Sequence, residues 1–415
     1  MPERDSAVRL MLAGLLKASH MTPLEMLPVT VAEHAATAGL QDVRIYLADL
    51  QQYSLRLLPG REPLPDTEER ELAVEGTVPG RAFQYGQTLP AAGAGPHGYR
   101  WWVPLLDGTE RLGVLNVSTA LDDDRTHEHM GLLATLTALL LDSKSRTSDT
   151  SARLARTREM NVAAEMQWHL MPPRTYADGR VVISAALEPA YLVSGDAYDY
   201  ATAGPIVHLS VFDAMGHDTA AGLTAALAVA AYRNLRRQGA TLTETGEAIE
   251  NILVRQFGNT RYATGILAAL DTRTGVFSWV NRGHHPPVVI RGGRWSTLLR
   301  CPPAHPMGTG LGLASTLCRE QLEPGDRVVF YTDGITEARG QGDREFGLSR
   351  FLDFLIRHHA DGLPVPETLR RLVHAVLGHH GGRLQDDATV LLCEWFGPRP
   401  EDSGPAAARA GVHPA

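Results

Sequence analysis

The sequence lacks the features that mark membrane, secreted and nucleic-acid-binding proteins. It contains only three cysteines, Cys301, Cys318 and Cys393, with neither metal-site spacing nor a disulfide framework, which predicts a reducing cytoplasm. No apolar run reaches the roughly 18 residues of a membrane span, and the opening residues M-P-E-R-D do not begin a signal peptide. The net charge of −8 argues against a nucleic-acid partner. We therefore expect a soluble cytoplasmic protein that binds neither membranes nor nucleic acid.

The chain is long enough for two domains. Its 415 residues exceed what one hydrophobic core usually serves, and 44% apolar with 21% charged residues is typical of a globular protein. The order of apolar runs, turns and polar stretches predicts an α+β protein with five segments. These are an N-terminal helix (1–20), an α/β domain (21–142), a helical linker (143–172), a larger domain (173–397) and a Pro/Ala/Gly-rich disordered tail (398–415).

The smaller domain combines short strands with helices. Apolar spacing predicts helices at 24–38 and 132–140 and strands at 43–47, 55–58, 101–105 and 113–117. The stretches G-T-V-P-G-R-A-F-Q-Y-G-Q-T (76–88) and V-P-L-L-D-G-T-E-R-L-G-V-L-N-V (103–117) resemble those of a GAF domain. This resemblance implies a sensor domain that binds an unknown small ligand or dimerises. A packing module without a ligand is an equally open interpretation.

The larger domain alternates β-branched runs with long helices. Strands are predicted at 181–187, 206–212, 262–271, 275–281 and 388–395, and helices at 219–237, 244–257, 346–358 and 366–377. Neighbouring hairpins favour antiparallel sheets, which long amphipathic helices must cover. The pattern predicts a β-sandwich flanked by helices.

Four acidic points lie at the ends of predicted strands of this domain. Asp196 follows Gly195, Asp213 ends one apolar strand, Asp333 ends another, and the pair at 386–387 precedes the last strand. Carboxylates at one rim repel each other unless cations lie between them. A pair of divalent ions would satisfy them and supports hydrolytic phosphoryl chemistry. Each carboxylate taken singly is better explained as part of an ordinary turn or helix cap.

Taken in order, six motifs resemble the metal-dependent protein phosphatase (PPM) family in its SpoIIE/RsbU-type branch. They are V-S-G-D-A-Y-D (193–199), D-A-M-G-H-D (213–218), N-R-G-H-H-P-P (281–287), P-M-G (306–308), G-D-R-V-V-F-Y-T-D-G-I-T-E-A (325–338) and D-D-A-T-V-L-L (386–392). The resemblance implies a protein serine/threonine phosphatase with two Mn²⁺ or Mg²⁺ ions. Its substrate would be a phosphoserine protein of the anti-sigma-factor-antagonist type. The implied metal ligands are Asp196, Asp213, Asp333, Asp386 and the Ala214 carbonyl, with Asp387 as the alternative to Asp386.

The motifs depart from the branch at two positions. Ser194 stands where the branch usually has a second glycine. Asp218 stands where the branch has the last glycine of a G-H-G sequence. We expect Asp218 to cap the following helix, with a water-mediated metal contact as the alternative. His217 is a candidate acid for the leaving serine oxygen, although a structural role is more common. His284 and His285 are expected to shape a turn between strands.

Two other functions compete with the phosphatase interpretation of the sequence. G-T-G-L-G-L-A (308–314) looks like a nucleotide-binding box of histidine kinases, but no helix is predicted to follow it. A catalytically dead phosphatase fold is the second rival, and the complete carboxylate set argues against it.

Apolar stripes in Leu132–Leu140 and Met160–Leu170 predict a parallel homodimer through which the first domain regulates the second.

Overall fold

The computed structural model describes residues 2–60, 70–91, 98–188, 191–192, 195–338, 345–381, 384, 386–398 and 404–412. The chain forms two compact units, Met1–Arg158 with Gly411–Ala415, and Glu159–Ala410. The division falls inside the predicted linker. Among the described helices, none combines the length and apolar character needed to cross a bilayer.

The first unit is a six-stranded antiparallel sheet with helices on both faces. Its strands have the order β3-β2-β1-β6-β5-β4. The strands are β1 (Leu40–Ala48), β2 (Ser54–Leu57), β3 (Glu71–Ala73), β4 (Leu89–Pro90), β5 (Tyr99–Asp107) and β6 (Glu110–Thr119). The helices are α1 (Pro2–Ser19), a 3-10 turn (Leu24–Met26), α2 (Leu27–Ala36), α3 (Val78–Tyr85), α4 (Asp124–Ser145) and α5 (Asp149–Ala155).

Two core clusters hold this unit together. Met11 and Leu15 of α1 are fully buried in the same cluster as Ile45 of β1, together with residues of α2 and α4. Phe83 of α3 packs with Val114 in a separate cluster. The helix predicted at 1–20 is therefore part of this domain. The GAF assignment stays a prediction.

Part of the predicted linker also belongs to the first unit. The Leu50 N–H donates to the carbonyl oxygen of Ala155 at 2.9 Å, and Arg56 donates to the carbonyl oxygen of Leu154 at 2.8 Å. These bonds hold the end of α5 against β1 and β2. The segment before residue 158 is thus an ordered edge of one domain.

The second unit is a two-sheet sandwich. Its strands are β7 (Thr175–Ala177), β8 (Val181–Glu188), β9 (Asp196–Ala203), β10 (Ile206–Ala214), β11 (Ala263–Asp271), β12 (Val276–Arg282), β13 (Val288–Arg291), β14 (Trp295–Leu298), β15 (Leu317–Gln321), β16 (Arg327–Tyr331) and β17 (Ala388–Trp395). Its helices are α6 (Val162–Leu170), α7 (Thr219–Arg237), α8 (Leu242–Phe257), α9 (Asp333–Thr336), α10 (Leu348–Ala360), α11 (Val365–His379) and α12 (Gly404–Ala410).

The sheets have the orders β15-β12-β11-β10-β9 and β14-β13-β16-β17-β8-β7, and every pairing in them is antiparallel. Val207, Leu209 and Val211 of β10 point into the core between the sheets, whereas Phe212 points outward to α7 and α8. This period-two alternation is what buries a strand on both faces. The predicted β-sandwich flanked by helices is confirmed.

Three features of the second unit differ from expectation. The tail predicted to be disordered contains α12, whose Ala406 and Ala410 are buried against its own unit. The apolar stripe predicted over Met160–Leu170 was expected to face a second copy of the chain. On α6, however, Ala164 and Gln167 are buried within their own unit, and Val162 is 65% exposed. The third difference is a disulfide between two cysteines.

Cys301 and Cys318 form a disulfide with a Cα–Cα distance of 5.9 Å. Cys301 follows the edge strand β14 of one sheet, and Cys318 lies in the edge strand β15 of the other. The expectation of no disulfide was wrong because sequence spacing does not reveal which loop ends meet in space.

We expect Cys318→Ser to lower the free energy of unfolding by about 3 kcal/mol, because the bond closes a loop across a 17-residue separation. Urea denaturation under oxidising conditions measures the loss. Reduction of the wild type should reproduce it, and reduction should not affect the variant. Rapid alkylation of both Cys301 and Cys318 in the native, unreduced protein would contradict the bond.

Candidate metal centre

The acidic residues gather where the two sheets end at the same rim. Asp196 and Asp213 are direct partners in the β9–β10 register, and Thr264 is the β11 partner of Asp213. Strand alternation turns all three toward the interior, in line with Val211 and Tyr198 of the core. The five-stranded sheet that contains β9, β10 and β11 thus presents a row of oxygen-bearing side chains to the six-stranded sheet.

Asp196 is tied to the opposite sheet by two threonines. The hydroxyl groups of Thr332 and Thr389 each donate to Asp196 Oδ2 at 2.6 Å. Asp196 is only 2% exposed. Burial, followed by the charges of Asp213 and Asp387, raises the pKa of Asp196 well above its ordinary value. The ionised form of Asp196 therefore needs positive charge beside it.

The neighbours Asp386 and Asp387 have different surroundings. Asp387 is buried, and its Oδ2 accepts hydrogen bonds from the N–H groups of Gly195 at 2.7 Å and Asp196 at 3.2 Å. Asp386 is exposed at the rim, and its Oδ1 accepts from the Asp387 N–H at 2.9 Å. Burial and Asp333 raise the pKa of Asp386. Asp387 fixes the loop before β9, which leaves Asp386 facing the rim.

Asp213 lies at the same rim and is half-buried. Burial raises its pKa to about 7, and the charges of Asp333, Asp386 and Asp387 add to the shift. Together with Asp196, five carboxyl groups therefore share one electrostatic field. A divalent cation would relieve the repulsion between them.

Asp333 enters the rim through a close backbone approach. It follows β16 and begins the short helix α9. A Cβ atom on Gly334 would collide with the carbonyl oxygen of Asp387. Only a glycine lets the Asp333 turn lie directly against the segment that carries Asp386.

We expect Gly334→Ala to reduce turnover at least about tenfold and to destabilise the fold by roughly 1–3 kcal/mol, because the added methyl group separates the two segments. Gly378→Ala is the matched control, since Gly378 lies in α11 with open space around it. The control should keep wild-type turnover and stability. Equal turnover by both variants would show that the close approach is unimportant.

The loop after β10 places the remaining predicted residues. Gly195 lies against the Ala214 carbonyl oxygen, which an added Cβ would approach to 2.5 Å. His217 is exposed, and its charge acts on Asp386. Asp218 caps α7 by accepting from the Ala221 N–H at 2.8 Å, as predicted. Ser194 lies outside the described residues.

Arg261 holds the same loop from the side. It donates to the Asp218 carboxylate at 2.7 Å and to the Met215 carbonyl oxygen at 3.3 Å. The capping role of Asp218 thus comes with an ion pair. Asp218 is therefore occupied by Arg261 and the α7 N-terminus, not directed at the acidic rim.

The donor set fits divalent cations with a preference for oxygen. The four carboxylates Asp196, Asp213, Asp333 and Asp386 and the Ala214 carbonyl offer only oxygen atoms, which suit Mg²⁺ and Mn²⁺. Within the described ranges, no group of three or more histidine, cysteine, aspartate or glutamate side chains is already arranged to hold a metal ion. The fit therefore rests on the shared field and the oxygen chemistry.

The glycine-rich loop at 308–314 is not shaped to hold phosphate. Glu250 of α8 accepts hydrogen bonds from the N–H groups of Gly308 and Gly310, the latter at 2.7 Å. The buried Arg282 lies 3.6 Å from the same carboxylate. The loop then continues to β15, and no helix starts in it. Its amide groups are already used by an internal anion, which argues against the kinase interpretation.

Several residues of the rim were not singled out from the sequence. They are Thr264, Thr332 and Thr389. A usable signal existed, because strand alternation places these threonines on the same face as Ile266, Phe330 and Leu391 of the core. Their hydrogen-bond partners lie on another sheet, which alternation does not identify.

Comparison with known proteins agrees with the motifs. Residues 204–396 match the family model described as Stage II sporulation protein E (SpoIIE). Protein IcfG of Synechocystis sp. (strain ATCC 27184 / PCC 6803 / Kazusa) is 25% identical over 242 residues, which cover 50% of this chain and 37% of IcfG. Phosphoserine phosphatase RsbU of Bacillus subtilis (strain 168) is 22% identical over 238 residues, which cover 56% of this chain and 69% of RsbU.

Solved structures of similar chains include two phosphatase domains. The SiaA-PP2C domain of Pseudomonas aeruginosa gives a TM-score of 0.49 at 21% identity, over 56% of this chain and 94% of that domain. The PP2C phosphatase domain of SpoIIE from Bacillus subtilis, with a fragment of its regulatory domain, gives 0.43 at 22% identity, over 53% of this chain and 63% of that one. The chain spans little more than a third of IcfG, the relative with the higher identity of the two.

Proposed function

We propose that this chain, whose residues 204–396 match the SpoIIE family model, is a metal-dependent protein serine/threonine phosphatase. The observation that carries the proposal is the carboxylate rim. Two sheets direct acidic side chains to one edge, where they raise each other's pKa values. Such a rim has no use in a purely structural domain, because the mutual repulsion destabilises it.

Each acidic residue has a role in this proposal. Asp196, Asp213, Asp333 and Asp386 hold the two Mn²⁺ or Mg²⁺ ions, with help from the Ala214 carbonyl. Asp387 is the positioning residue, because its carboxylate is engaged by the Gly195 and Asp196 N–H groups. Divalent ions held by these residues would supply an activated water for attack on phosphorus and positive charge to offset that of the phosphoryl oxygens.

The protein surroundings prepare the ligands. Thr332 and Thr389 fix the orientation of Asp196 through its Oδ2 atom, which leaves Oδ1 for a cation. His217 is exposed beside Asp386, in a position to protonate a departing serine oxygen, and this role can be tested separately from metal binding.

The proposed substrate is a phosphoserine protein of the anti-sigma-factor-antagonist type. The name of RsbU, a phosphoserine phosphatase, supports this class, as do the family motifs. The test is phosphate release from such a phosphoprotein with Mn²⁺, with Mg²⁺ and with chelator. We expect turnover only with metal. Metal-independent release, or none with either ion, would refute the proposal.

Two alternatives are addressed by the same preparation. Calorimetry with ATP is expected to show no micromolar binding, because Glu250 occupies the loop amides. A catalytically dead fold would bind Mn²⁺ without releasing phosphate. These two measurements separate the kinase, the binding protein and the phosphatase.

Regulation by the first unit completes the proposal. We infer a GAF-like sensor with an unknown small ligand, acting in a parallel homodimer through Leu132–Leu140 and Met160–Leu170. Arg233 of α7 donates to the Leu170 carbonyl at the end of α6 at 2.6 Å and to Asp199 at 2.7 Å. Asp199 lies on β9, the strand that begins with Asp196. A shift of α6 therefore has a path to the rim.

We expect Arg233→Gln and Met166→Asp to change basal activity severalfold without changing a ligand. A chain beginning at Glu159, which lacks the apolar stripe of Leu132–Leu140, should keep metal-dependent turnover and lose dimerisation or regulation. Light scattering and phosphate release measure these outcomes. A monomeric full-length protein whose activity equals that of the shortened chain would contradict the regulatory proposal.

A further inference from the structure

His284 lies at the junction of the two sheets and is buried. Its ring Nε2 is 3.1 Å from the carbonyl oxygen of Tyr331, and its Nδ1 is 2.7 Å from Thr264 Oγ1. Thr264 belongs to β11 of one sheet, and Tyr331 ends β16 of the other. One ring therefore bridges the strand beside Asp213 and the strand that leads to Asp333.

The backbone holds this ring independently of its side-chain contacts. Asn281 Oδ1 accepts from the His284 N–H at 2.8 Å, and Asn281 Nδ2 donates to the His284 carbonyl oxygen at 2.8 Å. Both bonds involve main-chain atoms of His284. They survive replacement of the imidazole, so side-chain variants leave the turn in place.

The donor and acceptor roles of the ring follow from its partners. A carbonyl oxygen only accepts, so Nε2 carries a proton and donates to Tyr331. Burial, followed by the charge of His285, lowers the pKa of His284 to about 4, so the ring is neutral. Nδ1 is then an acceptor, and the Thr264 hydroxyl donates to it.

This bridge reaches both acidic strands of the rim. Thr264 is the β11 partner of Asp213, and its bond to His284 holds the Thr264 side chain in place beside that carboxylate. Tyr331 lies two residues before Asp333. Without the ring, the Thr264 side chain is no longer held, and the two strands lose this link at the rim.

We propose that Thr264 and His284 act as one positioning unit that fixes the place of the Asp213 carboxylate relative to Asp333 and so supports the binding of divalent cations. The inference rests on the proposed function, because it assigns these residues a role toward the same metal centre. Neither residue contacts the substrate. Their effect is on metal affinity, which is measured apart from turnover.

The test is calorimetric titration of the full-length protein with Mn²⁺ alone. His284→Leu removes both side-chain bonds of the bridge and should raise the Kd roughly 10- to 100-fold, the usual effect of losing a residue that orients the surroundings of a metal ligand. His284→Asn places an amide oxygen near the Nδ1 position and should recover most of the affinity. His285→Leu is the matched control, because His285 stacks on the Tyr331 ring and does not bond to Thr264.

A double-mutant cycle shows whether the two residues act as one unit. Thr264→Val should also raise the Mn²⁺ Kd, and Thr264→Val combined with His284→Leu should raise it no further than the larger single effect. At saturating Mn²⁺ the KM for the phosphoprotein should be unchanged, since neither residue contacts it. Circular dichroism and the melting temperature of the metal-free proteins confirm that each variant is folded.

The outcomes separate the two proposals. Wild-type Mn²⁺ affinity in His284→Leu, or additive effects in the cycle, would overturn the positioning unit while leaving the phosphatase proposal intact. A wild-type protein that neither binds Mn²⁺ nor releases phosphate would overturn the proposed function and this inference with it. Loss of affinity in His284→Leu with recovery in His284→Asn supports the unit.

Discussion

Asp213→Asn is expected to abolish metal-dependent phosphate release and, in the metal-free protein, to increase stability near neutral pH. Loss of a partner of a metal ligand typically weakens binding 10- to 100-fold, so loss of a ligand should weaken it at least about a hundredfold. The gain in stability arises because the amide removes a charge from a crowded rim. Few substitutions eliminate activity while strengthening a fold, which makes the result diagnostic.

The pH dependence of this effect follows from the shifted pKa. Asp213 titrates at about 7 in the folded protein and near 3.8 when unfolded. The folded state therefore holds its proton longer, and the contribution to stability is complete below pH 3.8 and lost as pH rises to about 7. We expect a loss of roughly 1–3 kcal/mol across that window, reduced by partial solvent access.

The measurement is thermal unfolding with chelator between pH 4 and 8. The wild type should lose stability as pH rises, and Asp213→Asn should flatten the profile. Asp333→Asn should likewise abolish turnover while the protein stays folded. Asp387→Asn is the matched control, because its amide oxygen still accepts from Gly195 and Asp196, and it should retain activity that Asp386→Asn loses.

Arg327→Met is expected to destabilise the second unit by about 3 kcal/mol without changing metal affinity. Arg327 and Glu394 are each 2% exposed and face each other across β16 and β17. Two hydrogen bonds join them, at 3.0 and 2.8 Å. Removing the arginine leaves a buried carboxylate, which typically costs about 3–5 kcal/mol, and the nearby Arg409 limits the loss.

Urea denaturation gives the size of this loss. The double variant Arg327→Met, Glu394→Leu removes both charges and should recover most of the stability, because an apolar pair of similar volume can replace a buried ion pair. The Mn²⁺ Kd should stay at the wild-type value, since Arg327 lies at the opposite end of β16 from Asp333. If the double variant were as unstable as the single one, the loss would come from packing and not from the unpaired charge.

Local patterns predicted most elements of the second unit. The cap at Asp218, the last strand beginning at Ala388 and the helix ending at Arg237 all appear as expected, because caps and β-branched runs act over a few residues. The family motifs identified the acidic residues of the rim. The sequence did not decide whether Asp386 or Asp387 is the metal ligand, because both follow the same short loop.

Contacts between distant segments could not be predicted. The bonds from Thr332 and Thr389 to Asp196 join residues more than 130 positions apart in sequence. The disulfide between Cys301 and Cys318 likewise depends on how two sheet edges meet. Such pairings arise from the tertiary fold, and a single sequence contains no local signal for them. The alternation of strand faces indicates which side chains point to the core, but it does not identify their partners on another sheet.

The placement of α1 determines where the first unit can be cut. Val8, Met11 and Leu15 form part of its core, beside residues of α2 and α4. A fragment that starts at residue 21, where the sequence suggested a boundary, would uncover that apolar surface to water and would tend to aggregate. Ligand screening on the isolated first unit should therefore use a fragment that retains α1 and extends through α5.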